Sequence, residues 1–306
     1  MSDRMQRAPT PIAADCFSVI AYFSYFQYPL TAFEVWKWLY MPSQAWSLVD
    51  VMTVLEKDEW LRERVGEWNG FYGMGDVESA WRDRHSRYLD AMRKYAALRL
   101  VAALIGRLPS VEGVFVCNSL AYHHTNEESD SDLCVVTKSG RVWTARLFVV
   151  LMLALLRKRP GEAKRDPVCA SFFVDVTTMD FSVYAIEPHD PYLAYWTATL
   201  IPLVDREGVT QHTAQTNTWT KQFLPNAQSV HRAFAFRRKK GSGLVITHFV
   251  TEKFARRFQE KRFTPVITAL LNVDSRVVVN DHVLKFHTND RRAEIATTYK
   301  EKLSRI

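Results

Sequence analysis

The stretch from Val111 to Thr137 restricts the fold more than any other part of the chain. Val111 to Cys117 (VEGVFVC) is a β-rich run that breaks into Asn118-Ser119. The polar segment Leu120 to Glu128 follows, and Ser129 to Thr137 (SDSDLCVVT) is a second β-rich run carrying Asp130 and Asp132. Residues two apart on a strand project from one face, so this spacing predicts two carboxylates converging on one site. Aligned carboxylates repel unless a cation joins them. Hard oxygen ligands favour Mg²⁺ (or Mn²⁺), and Mg²⁺ usually completes its shell with substrate phosphates. The Asn118-Ser119 turn would offer backbone N–H groups and a hydroxyl to such phosphates. Gly140-Arg141 opens an apolar helix through Leu156, and a strand from Val168 to Thr177 follows a basic loop containing Lys164 and Arg165. Strand, turn, strand, helix, strand in that order predicts the α+β class, a small mixed sheet with flanking helices.

Upstream, Ala13 to Phe26 is apolar at helical spacing, and Thr31-x-x-Glu34 is a capping box for a second helix through Leu39. Ser47 caps a third, running to Glu59. Trp60 to Val65, Asn69-Gly70 and Phe71-Tyr72 then read as a hairpin. Three short helices and a hairpin make a winged-helix pattern, but Ser47 to Glu59 carries four acids against one lysine. A net negative helix repels phosphate, so residues 1–75 read as a packing or partner module. Trp36, Trp38, Trp46, Trp60 and Trp68 read as core or interface residues. Residues 76–108 form one long connector helix pattern, closed by Pro109.

The net charge of +7 is regional: nine Lys/Arg and two Asp/Glu fall between Arg237 and Phe263, and the remainder sums to zero. That stretch is a candidate nucleic-acid surface, on a helix expected from Leu244 to Phe263. Its Val250, Phe254 and Phe258 would pack on the body, with Lys253, Arg257 and Lys261 outward. Helical patterns also cover Pro191 to Leu203 and Gln211 to Leu224. Val277 to Val279 and Val283 to Phe286 read as a terminal hairpin before a last charged helix. The four cysteines form no CxxC pair and read as reduced structural thiols, which with the absence of a secretory-type leader gives the expectation of a cytoplasmic protein. The longest apolar run, Leu147 to Leu156, is too short for the ~20 residues of a membrane span. His123-His124 beside Glu127-Glu128 reads as a polar loop rather than a zinc cluster.

The segment VFVCNSLAYHHTNEESDSDLCVVTKSGRVWTAR resembles the polymerase-β-like nucleotidyltransferase signature: a strand, Gly-Ser, about ten residues, then Asp-x-Asp and a hydrophobic residue. Together with Asn217-x-Trp219, Phe223-Leu224-Pro225-Asn226 and Leu284-Lys285-Phe286-His287-x-x-Asp290-Arg291, it is similar to a bacterial family that joins an N-terminal winged-helix-like region to a nucleotidyltransferase domain and a helical tail. The resemblance implies a winged-helix-like domain at 1–75, a connector helix at 76–108, a nucleotidyltransferase domain at 109–236 and a basic helical C-terminal region with a short hairpin at 237–306. It implies transfer of a nucleoside monophosphate from an NTP to a hydroxyl on a small molecule, protein or nucleic acid. Asp130 and Asp132 match the metal pair, and Asn118 and Ser119 the phosphate-contacting turn. Asp175 is the candidate third carboxylate with Asp180 in reserve, and Arg141 and Arg146 are candidate phosphate contacts. The usual glycine is Asn118 here, and Ser131 stands where an aliphatic residue is usual. Two further readings stay open: a catalytically silent nucleotide-sensing or protein-interaction module, and a nucleic-acid-binding regulator acting through 237–263.

Overall fold

The computed structural model describes residues 8–186, 190–227, 236–237 and 250–304. Helix α1 (Pro11–Ser24) starts where Thr10 accepts the Ala13 N–H at 3.3 Å and Pro11 fills the first turn, a position where its missing N–H is no loss. Strand β1 (Leu30–Thr31) leads into α2 (Ala32–Lys37), closed by the Thr31–Glu34 capping box, and α3 (Leu48–Lys57) repeats the device with Ser47 and Asp50. The expected strand at Trp60 to Val65 is absent. Asp58 instead accepts the Leu61 N–H at 2.9 Å and starts α4 (Glu59–Arg62), so cap chemistry outweighs the β-prone side chains. The hairpin is β2 (Gly66–Trp68) and β3 (Phe71–Gly73), turned by Asn69 and Gly70 at φ 50° and 78°. Two positive φ values suit the twist of a two-residue hairpin. β1 pairs with the other edge of β3. Trp38 and Trp60 are buried, Trp36 and Trp46 half-buried, and Trp68 exposed.

Helix α5 (Val77–Ile105) follows, and its Arg84 grips Glu34 through two bonds of 2.9 and 2.6 Å. Then come β4 (Val111–Val116), α6 (Asn118–Ala121), β5 (Ser131–Thr137), α7 (Val142–Leu155), β6 (Val168–Asp175), a 3₁₀ turn (Phe181–Tyr184), α8 (Pro191–Ala198), β7 (Ile201–Asp205), α9 (Val209–Thr216), α10 (Thr220–Phe223), β8 (Phe236–Arg237), α11 (Glu252–Glu260), α12 (Pro265–Leu270), β9 (Val277–Val279), β10 (Val283–Phe286) and α13 (Arg292–Leu303). The main sheet runs β8-β7-β4-β5-β6-β10-β9. β4 is antiparallel to β5 and β7, β5 is parallel to β6 across α7, and β10 is antiparallel to β6 and β9. The molecule is therefore α+β with a mixed sheet.

Three sequence expectations change here. The helix expected over 191–203 stops at Ala198, and Ile201–Asp205 is a strand. The Thr199 hydroxyl donates to the carbonyls of Tyr195 and Trp196 at 2.8 and 3.2 Å, and Pro202 biases Ile201 toward extended backbone. The C-terminal hairpin is not a free-standing tail: β10 adds to β6, with Lys285 opposite Phe172. In α11 the side chains buried against the body are Ala255 and Gln259, whereas Phe254 and Phe258, expected inward, are 58% and 38% exposed and stack on each other. Residues 238–249, the lead into the basic helix, lie outside the described residues.

One face of the main sheet packs under α5, α7 and α11 through Leu133, Val135, Phe173 and Leu284. The other packs Cys134, Val136, Phe172, Val174 and Val283 against Phe181, Leu193 and Trp196. A third core joins α1–α4 to α8 and α13 through Tyr22, Phe23, Tyr195, Ile295 and Tyr299. Among the described residues no helix is long and apolar enough to cross a membrane.

Candidate functional site

Alternation along β5 decides where the acidic motif points. Cys134 and Val136 belong to the α8-covered face, so Asp132, two residues earlier, shares it. There it lines an open cleft of about 830 Å³ together with Asp130, Asn118, Ser119, Cys169 and Ser171, beneath Tyr192 and Trp196 of α8. Asn118 holds φ +56°, a left-handed conformation that asparagine tolerates better than most residues. Its side chain bonds to the Asp132 carboxylate and also accepts from the Tyr192 hydroxyl at 3.3 Å. The loop leading to Asp130 is pinned from beneath by Lys94, a fully buried lysine that donates to the carbonyls of Asn126 and Ser129, each at 2.5 Å.

The electrostatics separate these two acids from the buried and half-buried acids that have arginine partners. Glu34 pairs with Arg84, Asp166 with Arg93, and Asp190 and Asp290 with Arg292. Asp130 and Asp132 make no ion pair among the described residues. Burial pushes the Asp132 carboxyl up to about 6; the Asn118 bond opposes this and the Asp130 charge adds to it. Burial also raises Asp130, moderated by Lys94. An uncompensated carboxylate pair at a cleft wall is the donor set a hard divalent cation takes. Among the described residues no group of three or more His, Cys, Asp or Glu side chains could hold a metal ion. The remaining ligands would have to arrive with a substrate.

The facing wall comes from β10 and the segment after it. Lys285 is buried, lines the cleft and donates to the Ser275 carbonyl; burial, and then the Arg292 charge, bring it down to about 8. His287 lies 3.2 Å from the Ser171 hydroxyl, and burial holds it neutral, down to about 3. Arg292 is fully engaged, bonding Asp290, Asp190, Ser275 and the Tyr184 carbonyl. Arg87 of α5 also lines the cleft and makes no ion pair among the described residues. The Leu284–Arg291 motif enters the sequence reading only through the family resemblance, with no role for Lys285 or His287. The signal available was a lysine and a histidine at strand spacing inside an apolar run.

Four other candidates lie elsewhere. Asp175 pairs in register with Thr137, whereas Asp132 pairs with Cys169, so five residues at ~3.3 Å each separate them along the sheet. Asp175 also sits on the opposite face, two residues beyond Phe173. There it accepts from the Gly140 N–H at 3.1 Å, the Thr177 N–H at 2.9 Å and the Thr177 hydroxyl at 2.5 Å, and lies 2.7 Å from His282 Nδ1. Burial alone would raise its carboxyl; the Thr177 and His282 bonds prevail and hold it below the ordinary value. Asp180 caps the 3₁₀ turn through Ser182. Arg141 precedes α7 at that same far end. Arg146 lies against the Phe286 ring at 4.4 Å and donates to Gln259 at 2.7 Å, and burial lowers it to about 10. The carboxylate expected from β6 is thus missing from the cleft; Cys169 and Ser171 occupy that register.

Comparison with protein-family models, curated proteins and solved structures yields no match for this chain.

Proposed function

We propose that the chain binds a nucleoside triphosphate with Mg²⁺ in this cleft and transfers its nucleotidyl group to a hydroxyl acceptor, as a polymerase-β-like nucleotidyltransferase with a winged-helix-like N-terminal region. The observation that carries the reading is the unpaired Asp130–Asp132 couple on one wall, with Arg87 and Lys285 on others. Glu34, Asp166, Asp190 and Asp290 each have an arginine; these two have none. Asp130 and Asp132 would hold the ion, which when bound neutralises phosphate charge and polarises the phosphorus centre. The Ser119 hydroxyl donates to a phosphate oxygen. Asn118 fixes the Asp132 carboxylate from behind, and Tyr192 fixes Asn118. Lys285 uses one of its ammonium donors on Ser275 and keeps others for phosphate oxygens. Lys94 positions the Asp130 loop without touching substrate.

A specific observation favours a second reading, a nucleotide-binding module without turnover: the third strand brings Cys169 and Ser171, not a carboxylate, to the Asp132 register. Thermal-shift titration of the four NTPs with and without Mg²⁺, followed by pyrophosphate detection, separates the two. Transfer predicts a Mg²⁺-dependent shift and pyrophosphate release, both lost in Asp130→Asn. A shift without pyrophosphate leaves the silent module, and no shift with any NTP refutes both.

A further inference from the structure

Beside the phosphate turn lies a second, smaller space. Its volume is about 270 Å³, and its walls are the rings of Tyr22, Phe23, Phe26, Tyr28, Tyr122 and Tyr192. It is below the ~300–1,000 Å³ of pockets that take drug-sized ligands, so it suits one ring system. It shares Phe26, Asn118, Ser119, His124 and Tyr192 with the cleft, and the two spaces meet at the turn expected to hold phosphates.

The polar atoms of this pocket define what its occupant must offer. The Tyr28 hydroxyl donates to the Tyr122 carbonyl at 3.2 Å, and Tyr192 donates to Asn118. His124 is 8% exposed, and its Nε2 lies 3.1 Å from the Phe26 carbonyl oxygen. A carbonyl only accepts, so Nε2 carries the proton and Nδ1 presents a lone pair. That Nδ1 is buried with no hydrogen-bond partner. Burial, with the Arg87 charge adding to it, brings the ring down to about 4 and keeps it neutral. An unmet acceptor in an aromatic box calls for a planar ring that also carries an N–H donor. A hydrocarbon chain would fill the volume and leave Nδ1 unmet.

Resting on the nucleotide reading above, we infer that this pocket receives the base of the bound nucleotide, stacked among the α1 and α8 aromatic rings with an N–H directed to His124. The N-terminal helical region then serves the site directly, since α1 supplies two of the six rings, Tyr22 and Phe23, and Phe26 and Tyr28 follow its end.

The test is calorimetric titration of the full chain with Mg²⁺ complexes of ATP, GTP, CTP, UTP and inorganic tripolyphosphate, in the natural sequence and in Phe23→Trp, a larger ring at a position that lines the pocket and not the cleft. Base stacking predicts that at least one nucleotide binds about tenfold or more tighter than tripolyphosphate. Phe23→Trp should erase that advantage while leaving tripolyphosphate affinity unchanged, which also shows that the variant is folded. Equal affinity for nucleotides and tripolyphosphate overturns the base pocket and leaves the phosphate site standing. So does an advantage that persists in Phe23→Trp, or a loss that falls equally on both ligands. If no polyphosphate binds, or binding is indifferent to Asp132→Asn, the nucleotide reading itself fails and the base pocket with it.

Discussion

Replacing Asp132 with asparagine should make the metal-free protein more stable at neutral pH while removing its response to nucleotide and Mg²⁺. The folded chain holds this carboxyl at about 6 against an ordinary value of 3.8. At about 1.4 kcal/mol for each tenfold in proton affinity, the ionised form costs the native state about 3 kcal/mol. The sign follows from proton uptake. Between pH 4 and 6 the folded state binds more protons than the unfolded one at this site, so stability falls as pH rises through that window and the full penalty is present above it. Asparagine keeps the shape and removes the charge, but it rearranges the bonds to Asn118 and Cys169, an offset of about 1 kcal/mol. The expected gain is therefore about 2 kcal/mol at pH 7.5 and near zero or slightly negative at pH 4. Urea denaturation in EDTA at the two pH values measures it. Adding Mg²⁺ and a nucleotide should then stabilise the natural chain by mass action and leave the variant unmoved. A variant that is less stable at pH 7.5, or whose effect is the same at both pH values, would refute the claim that this acid is held unpaired for a ligand.

Asp175→Asn should behave oppositely, losing about 1.5–3 kcal/mol through weakened bonds to Thr177, Gly140 and His282, with Mg²⁺-nucleotide affinity unchanged in calorimetry. Arg292→Met strands the buried Asp190 and the half-buried Asp290, and thermal or urea unfolding should register a loss of about 3–5 kcal/mol. Lys94→Met frees the Asn126 and Ser129 carbonyls; hydrogen exchange should rise across residues 126–130 and Mg²⁺-dependent binding should weaken, whereas unchanged protection there would exclude Lys94 as the loop's anchor.

The local signals were readable because they are local. Thr31–Glu34 and Ser47–Asp50 name their helices by bonds closed within four residues, and Asn69-Gly70 names its turn by backbone angles. The direction of Asp132 was likewise set by strand alternation, which needs no tertiary knowledge. Register was not readable. Whether the acid on the third strand reaches Asp132 depends on how far β6 slides past β5, and only the pairing of Asp132 with Cys169 shows that Asp175 is displaced by most of a strand and turned to the other face. Arg141 follows the acidic strand at its distal end, near Asp175, and Arg146 lies on the opposite face of the sheet, against Phe286 and Gln259. The place of Lys285 in the cleft wall was hidden because a hairpin near the C-terminus gives no indication of which sheet edge it will join.

The two walls of the cleft, taken together, narrow the kind of ligand more than either alone. A bare divalent cation would satisfy Asp130 and Asp132 but would sit in a space whose other walls carry Arg87 and a buried Lys285. A bare phosphate would suit those cations but would face two carboxylates without a screen. Neither ion relieves both walls, and beside the buried Lys285 and a carboxyl that burial already penalises at Asp132 an unrelieved charge is expensive. A cation already bound to a polyphosphate relieves both at once: the metal toward the aspartates, the oxygens toward the cations. The missing third carboxylate fits the same reasoning, because a metal delivered by its substrate brings part of its own coordination shell and needs fewer ligands from the chain.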